Sequence, residues 1–148
     1  MKILVDADAC PVKSIIVSIA RQYRLEVIML IDTSHELNDG YSNVITVDKA
    51  RDSVDIALIN LVKTGDLVVT QDFGVAAMAL GKKAGVVNQN GLIYSDDNID
   101  GLLFERHIGQ KVRRAGGRTA GSKKRTREDD ARFEQTFRRL VQQALQGA

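Results

Sequence analysis

Three aspartates stand where a parallel sheet collects its chemistry. Asp6 ends the run Ile3-Leu4-Val5, Asp8 follows two residues later, and Asp72 comes just after Leu67-Val68-Val69-Thr70. In parallel α/β sheets ligands gather outside the carboxyl ends of the strands. Asp6 and Asp72 are therefore predicted to project from one edge. Carboxylates gathered there repel one another unless protons or a cation neutralise them. Oxygen ligands of this kind suit Mg²⁺ or Mn²⁺, which bind phosphate oxygens readily. A strand-end Asp can equally cap the helix that follows, but three at one edge favour a cation. Asp52 and Asp55 lie about one helical turn apart, away from the apolar stripe Val54, Ala57, Leu58 and Leu61. One of them is a candidate fourth ligand, although the helix dipole alone also favours acids in a first turn. Thr70 and Gln71 flank Asp72 and can orient it, with a structural role equally open.

Cys10 stands beside Asp8, but neither histidine forms an obvious base for it, so it is expected to be a small buried side chain. His35 falls in a polar loop and His107 near the basic segment; no Cys/His pair has zinc-ligand spacing.

The second chemical feature is basic. Arg113, Arg114, Arg118, Lys123, Lys124, Arg125 and Arg127 are interleaved with glycine, which would let backbone amides approach phosphates closely. No aromatic residue interrupts them, so base stacking is not implied. A solvated face is the plain alternative; the flanking helices and glycines favour a phosphate-binding arm.

The elements that must position these residues follow from hydrophobic spacing. Strands are predicted at 2–5, 26–31, 44–47, 67–70 and 85–87, with a hairpin or edge strand at 92–94. Helices are predicted from Pro11 to about Tyr23 and over 52–62, 73–80, 96–106 and 128–145. Proline is tolerated in a helix's first turn, and Thr126 with Asp129 resembles a capping box for the last helix. Residues 32–43 are predicted as a loop and 88–91 as a turn. Strands alternating with helices argue for a mostly parallel sheet covered on both faces.

Composition sets the outer limits. The 148 residues are 44% hydrophobic and 27% charged, enough for one domain with an aliphatic core. Residues 1–104 carry nine Lys/Arg against fourteen Asp/Glu, and residues 105–148 carry twelve against five. An acidic body with a basic arm and C-terminal helix suits a cation on one and a polyanion on the other. No apolar run approaches the ~18 residues of a membrane span. No signal-peptide pattern is seen, and the single cysteine suits a reducing compartment, so a cytoplasmic location is expected.

The segments Val5-Asp6-Ala7-Asp8-Ala9-Cys10-Pro11-Val12-Lys13, Asp52-x-x-Asp55 and Gly65-Asp66-Leu67-Val68-Val69-Thr70-Gln71-Asp72 resemble the YaiI/YqxD family. Arg113-Arg114 with the following glycines, Gly121-x-Lys123 and Asp130-x-x-Phe133 extend the likeness over nearly the whole chain. Ser122 stands where the family pattern has proline. The family is similar to PIN domains, three-layer α/β nucleases whose acids hold Mg²⁺ or Mn²⁺. The resemblance implies metal-dependent hydrolysis of RNA phosphodiesters. Asp6, one of Asp52 and Asp55, and Asp72 match the PIN acids; Asp8 is an added candidate. A further PIN acid that often follows has no counterpart in Phe73-Gly74-Val75-Ala76. Two other functions fit the same residues: a non-catalytic RNA-binding module, and a phosphatase of haloacid-dehalogenase type with Asp6 as nucleophile and Asp8 as acid. Ala9-Cys10, where that phosphatase motif has a hydroxyl, argues against the last.

Overall fold

Alternate residues of the inner strands point to opposite faces, and that alternation builds two cores. The computed structural model describes residues 1–49, 53–117 and 124–147. Strands β1 (Ile3–Asp6), β2 (Val27–Asp32), β3 (Asn43–Val47), β4 (Leu67–Val69), β5 (Gly85–Val87) and β6 (Ile93–Tyr94) form one sheet in the order β3-β2-β1-β4-β5-β6. All pairings are parallel except β5 with β6, which closes the edge as the expected hairpin.

Ile3, Val5, Val27, Met29, Ile31, Leu67, Val69 and Val87 face one core. Helices α1 (Lys13–Tyr23) and α5 (Arg127–Gln146) cover it with Ile16, Ile19, Phe133, Phe137 and Val141. Leu4, Ile28, Leu30, Val68 and Val86 face the other. There α2 (Val54–Leu61), α3 (Phe73–Gly81) and α4 (Asp96–Arg114) bring Leu58, Val75, Ala76, Ala79 and Ile99. Strands buried on both faces are apolar at nearly every position, as in β1, β2 and β4. The result is a three-layer, mostly parallel α/β fold of PIN-like type.

Most boundaries shift by a residue or so from the sequence reading, and three of the differences bear on the site. Helix α1 starts at Lys13 and not Pro11, because Ala9 adopts a left-handed φ of 59° and carries the chain through a turn first. The Lys13 ammonium holds that turn by donating to the carbonyls of Cys10 (3.0 Å) and Ala7 (3.3 Å). Helix α4 runs to Arg114 where 96–106 was predicted, so Arg113 and Arg114 lie on a helix and not in the glycine-rich arm. Basic residues in its last turn complement the helix dipole, and Gly109 costs too little to stop it. Arg127 likewise belongs to α5, whose start is the expected capping box: Asp129 N donates to Thr126 Oγ1 (3.3 Å) and Thr126 N to Asp129 Oδ2 (2.9 Å). Among the described residues no helix is long and apolar enough to cross a membrane.

Candidate metal centre and acid cleft

The chain leaves β1 toward β2 and β3 on one side and resumes at β4 and β5 on the other. The carboxyl ends of β1 and β4 thus form the switch point where open α/β sheets leave a crevice. Val5 pairs with Val69, which sets Asp6 beside Thr70 across the strand ends. Thr70, buried to 1% exposure, donates its hydroxyl to Asp6 Oδ2 (3.0 Å) and accepts from the Asp72 amide (3.0 Å). One hydroxyl therefore couples the two acids. Beneath it, buried Tyr94 reaches the Thr70 carbonyl (3.5 Å) and meets the Phe73 ring edge-on.

Asp72 also caps α3, as the simpler reading of a strand-end acid allowed: its Oδ1 accepts from Gly74 N (2.8 Å) and Val75 N (3.1 Å). Its Oδ2 and Asp6 Oδ1 have no hydrogen-bond partner among the described residues. Asp6 is pushed up to about 6, first by burial and then by Asp55, Asp72 and Asp8, against the Thr70 hydrogen bond that lowers it. Asp55 is raised by burial and by Asp72, with Arg106 opposing. Asp55, in the first turn of α2, is half-buried and near enough to Asp72 to feel its charge. Its companion candidate Asp52 lies outside the described residues. The cleft over these acids, about 420 Å³, is walled by Asp6, Asp8, Gln71, Asp72 and Phe73, with Arg106 of α4 at its rim.

Asp8 belongs to a second, tighter group. Its Oδ2 accepts from the Asp32 amide (3.2 Å) at the end of β2. Its Oδ1 is buried without a hydrogen-bond partner, yet lies 2.9 Å from His35 Nδ1, close in distance but not aligned for a bond. His35 Nδ1 also lies 3.1 Å from Asp32 Oδ1. One ligand atom each from Asp8, Asp32 and His35 all fall within 4.8 Å of one another, the only such group among the described residues. These three are close enough to hold one divalent cation. Asp55 and Asp72 raise Asp6, and Asp72 raises Asp55, but these three do not converge as tightly. Asp32 is held down to about 2 by hydrogen bonds from the Ser34 hydroxyl and amide and from His35, so it is ionised throughout the working range. Asp32 was not singled out in the sequence, and His35 was weighed there as a base and a zinc ligand and set aside, whereas the fold brings it to Asp8 and Asp32. The signal was present for Asp32, which ends a strand just as Asp6 does; His35 is brought in only by the loop that follows.

Cys10 is buried and its thiol is pushed up by burial, consistent with a packing role. Of the basic candidates, Arg118 and Lys123 lie outside the described residues. Arg113, Arg114, Lys124 and Arg127 are exposed. Arg125 is committed within the protein: its Nε donates to Asp130 Oδ1, Nη1 to Asn90 Oδ1 and Nη2 to the Gln89 carbonyl, each at 2.7 Å.

Compared with known proteins, the chain matches over residues 4–143 the sequence profile described as "Uncharacterized BCR, YaiI/YqxD family". It is 68% identical to a "UPF0178 protein" of Ruminiclostridium cellulolyticum, covering 99% of this chain and 96% of that protein. A protein of the same name from Clostridium kluyveri is 55% identical (95% and 93%), and one from Natranaerobius thermophilus 46% identical (97% of both). No solved structure matches the chain.

Proposed function

The chain belongs to the YaiI/YqxD family, and from that footing we propose that it is a divalent-cation-dependent nuclease acting on RNA phosphodiesters. The observation that carries the reading is the place of Asp8. It joins the Asp8–Asp32–His35 group, able to take a cation, to the cleft containing Asp6 and Asp72. The fit rests on the chain's own atoms: two carboxylates, an imidazole nitrogen and the orphaned buried Asp8 Oδ1. Two hard oxygens with one nitrogen suit Mn²⁺ well and Mg²⁺ acceptably. Asp6, Asp72 and Asp55 supply further oxygens at the same edge. When bound, the cation would polarise a phosphoryl oxygen and favour ionisation of a nearby water.

The protein's part is positional and acid–base. Thr70 fixes Asp6 and Asp72 relative to each other. Asp6, raised toward neutrality, is suited to accept a proton from attacking water, since a general base works best with a pKa near the working pH. The test is calorimetric titration with Mn²⁺ alongside cleavage of single-stranded RNA. Asp8→Asn should abolish both Mn²⁺ binding and cleavage, while Asp6→Asn should lower cleavage by about 10²-fold or more. Wild-type protein that fails to bind Mn²⁺ would remove the reading.

A further inference from the structure

Ile99, Leu102, Leu103 and Arg106 recur at three- and four-residue intervals and so share one face of α4. The first three pack against the core beneath α2 and α3. The fourth, one turn further on, overhangs the acid cleft. Arg106 is the one cation among the described residues that line this cleft. It is exposed and makes no ion pair within 4.0 Å to a described residue, although Asp55 feels its charge. A guanidinium held over carboxylates without being locked to any of them keeps its five donors for a ligand.

A second depression, of about 640 Å³, adjoins the cleft and shares Ala9 and Gln71 with it. The shared wall is fastened by Gln71 Nε2 donating to the Ala9 carbonyl (3.1 Å). Lys124 lines it too, exposed and without an ion pair to a described residue. Arg125, in the same depression, has its guanidinium occupied by Asp130, Asn90 and Gln89 and sets where Lys124 stands. A cation thus lines each of the two adjoining depressions, with Ala9 and Gln71 shared between them.

We propose that Arg106 in the acid cleft and Lys124 in the adjoining depression grip phosphates of one nucleic-acid strand, which crosses the shared wall of Ala9 and Gln71. This rests on the nuclease reading and adds to it how the strand is held. Arg106 acts here as a positioning residue: it draws phosphate toward a site whose own charge would repel it.

The experiment is fluorescence-anisotropy binding of a short single-stranded oligoribonucleotide across a salt series, in metal-free buffer so that nothing is cut. Each phosphate contact contributes about 0.7 to the slope of log affinity against log salt for a single strand. Arg106→Ala and Lys124→Ala should each flatten the slope by about 0.7 and together by about 1.4, while Arg106→Lys keeps it. Both side chains are exposed, so folding should survive, which circular dichroism checks. Mn²⁺ titration of the same variants separates the levels. If Arg106→Ala binds Mn²⁺ normally and its salt slope is unchanged, Arg106 only balances the acids and the grip is overturned. If the wild-type protein takes Mn²⁺ but no RNA, the polynucleotide reading falls and this proposal with it. If Mn²⁺ does not bind but the slopes change as expected, the grip stands and the metal reading fails.

Discussion

Thr70 lies between two acids with its Oγ1 donating to Asp6 and accepting from the Asp72 amide, so a neutral hydroxyl controls charge at the strand ends. Its hydrogen bond is the one influence that lowers Asp6; burial and three neighbouring carboxylates all raise it. Thr70→Val, which keeps the shape, should push the Asp6 titration above about 6, measured by NMR of the carboxyl carbon. An Asp6 titration that stayed put would mean the hydroxyl is not its partner. Because Asp6 is raised from 3.8 to about 6, the folded chain holds its proton more tightly than the unfolded chain does. The ionised form therefore costs stability: the penalty is absent below pH 4 and complete above pH 6. Asp6→Asn should stabilise the metal-free protein by about 1–2 kcal/mol at neutral pH, after allowing for partial solvent screening, and change little at pH 4. Urea unfolding at the two pH values decides it, and equal effects at both would contradict the sign. Asp72 behaves differently because its Oδ1 caps α3. Asp72→Asn keeps the cap, whereas Asp72→Ala should cost about 1 kcal/mol in the same measurement.

At the scale of elements, what the sequence made legible is what local spacing controls. The unbroken apolar runs of β1, β2 and β4, the stripe of α5 and the Thr126–Asp129 box are properties of neighbours along the chain. So was the meeting of Asp6 with Asp72, which needs only that their strands lie side by side. The length of α4 was not legible, since nothing between Arg106 and Arg114 packs strongly enough to leave a pattern; only dipole and propensity favour helix there. His35 was hidden for a related reason: its approach to Asp8 spans a polar loop with no periodicity. Arg125 looked like part of a basic arm, and only the fold brings Gln89 and Asn90 to it. Those bonds tie the β5–β6 turn to the start of α5, while Phe133, Phe137 and Val141 dock the helix itself. Arg125→Ala should cost about 1–3 kcal/mol for its charge-assisted bonds, and Arg125→Lys should rescue little, lacking the planar fork. Phe137→Ala should cost about 3–5 kcal/mol. Denaturant unfolding orders the two, and an Arg125→Ala variant as stable as wild type would show that the helix needs no staple.

The first 104 residues carry a net negative charge, with Asp6, Asp8, Asp32 and Asp72 close to one another, and the last 44 a net positive one, so a bound divalent cation would act on folding as well as on chemistry. Asp55, Asp72 and Asp8 make Asp6 harder to ionise, Asp72 does the same to Asp55, and Asp8 keeps a buried oxygen unsatisfied. A cation that binds only the folded chain stabilises it by mass action, about 2.7 kcal/mol at a hundredfold excess over its dissociation constant. For a chain of 148 residues that corresponds to a rise in Tm of roughly 5–10 °C. The rise should depend on pH in a defined sense. Asp6 must lose its proton for the cleft to carry its full charge, so the Mn²⁺-induced shift should be small below about pH 5 and grow as pH passes through about 6. Asp32, held near 2, contributes no dependence in that window. Asp8→Asn should abolish the shift at every pH, whereas Asp6→Asn should leave a smaller shift whose remaining pH dependence is that of His35, which must be unprotonated to hold the cation. Thermal scans of the three proteins with and without Mn²⁺ across that range test the whole arrangement together. A wild-type shift independent of pH would detach Asp6 from the cation, and one surviving in Asp8→Asn would place the cation elsewhere.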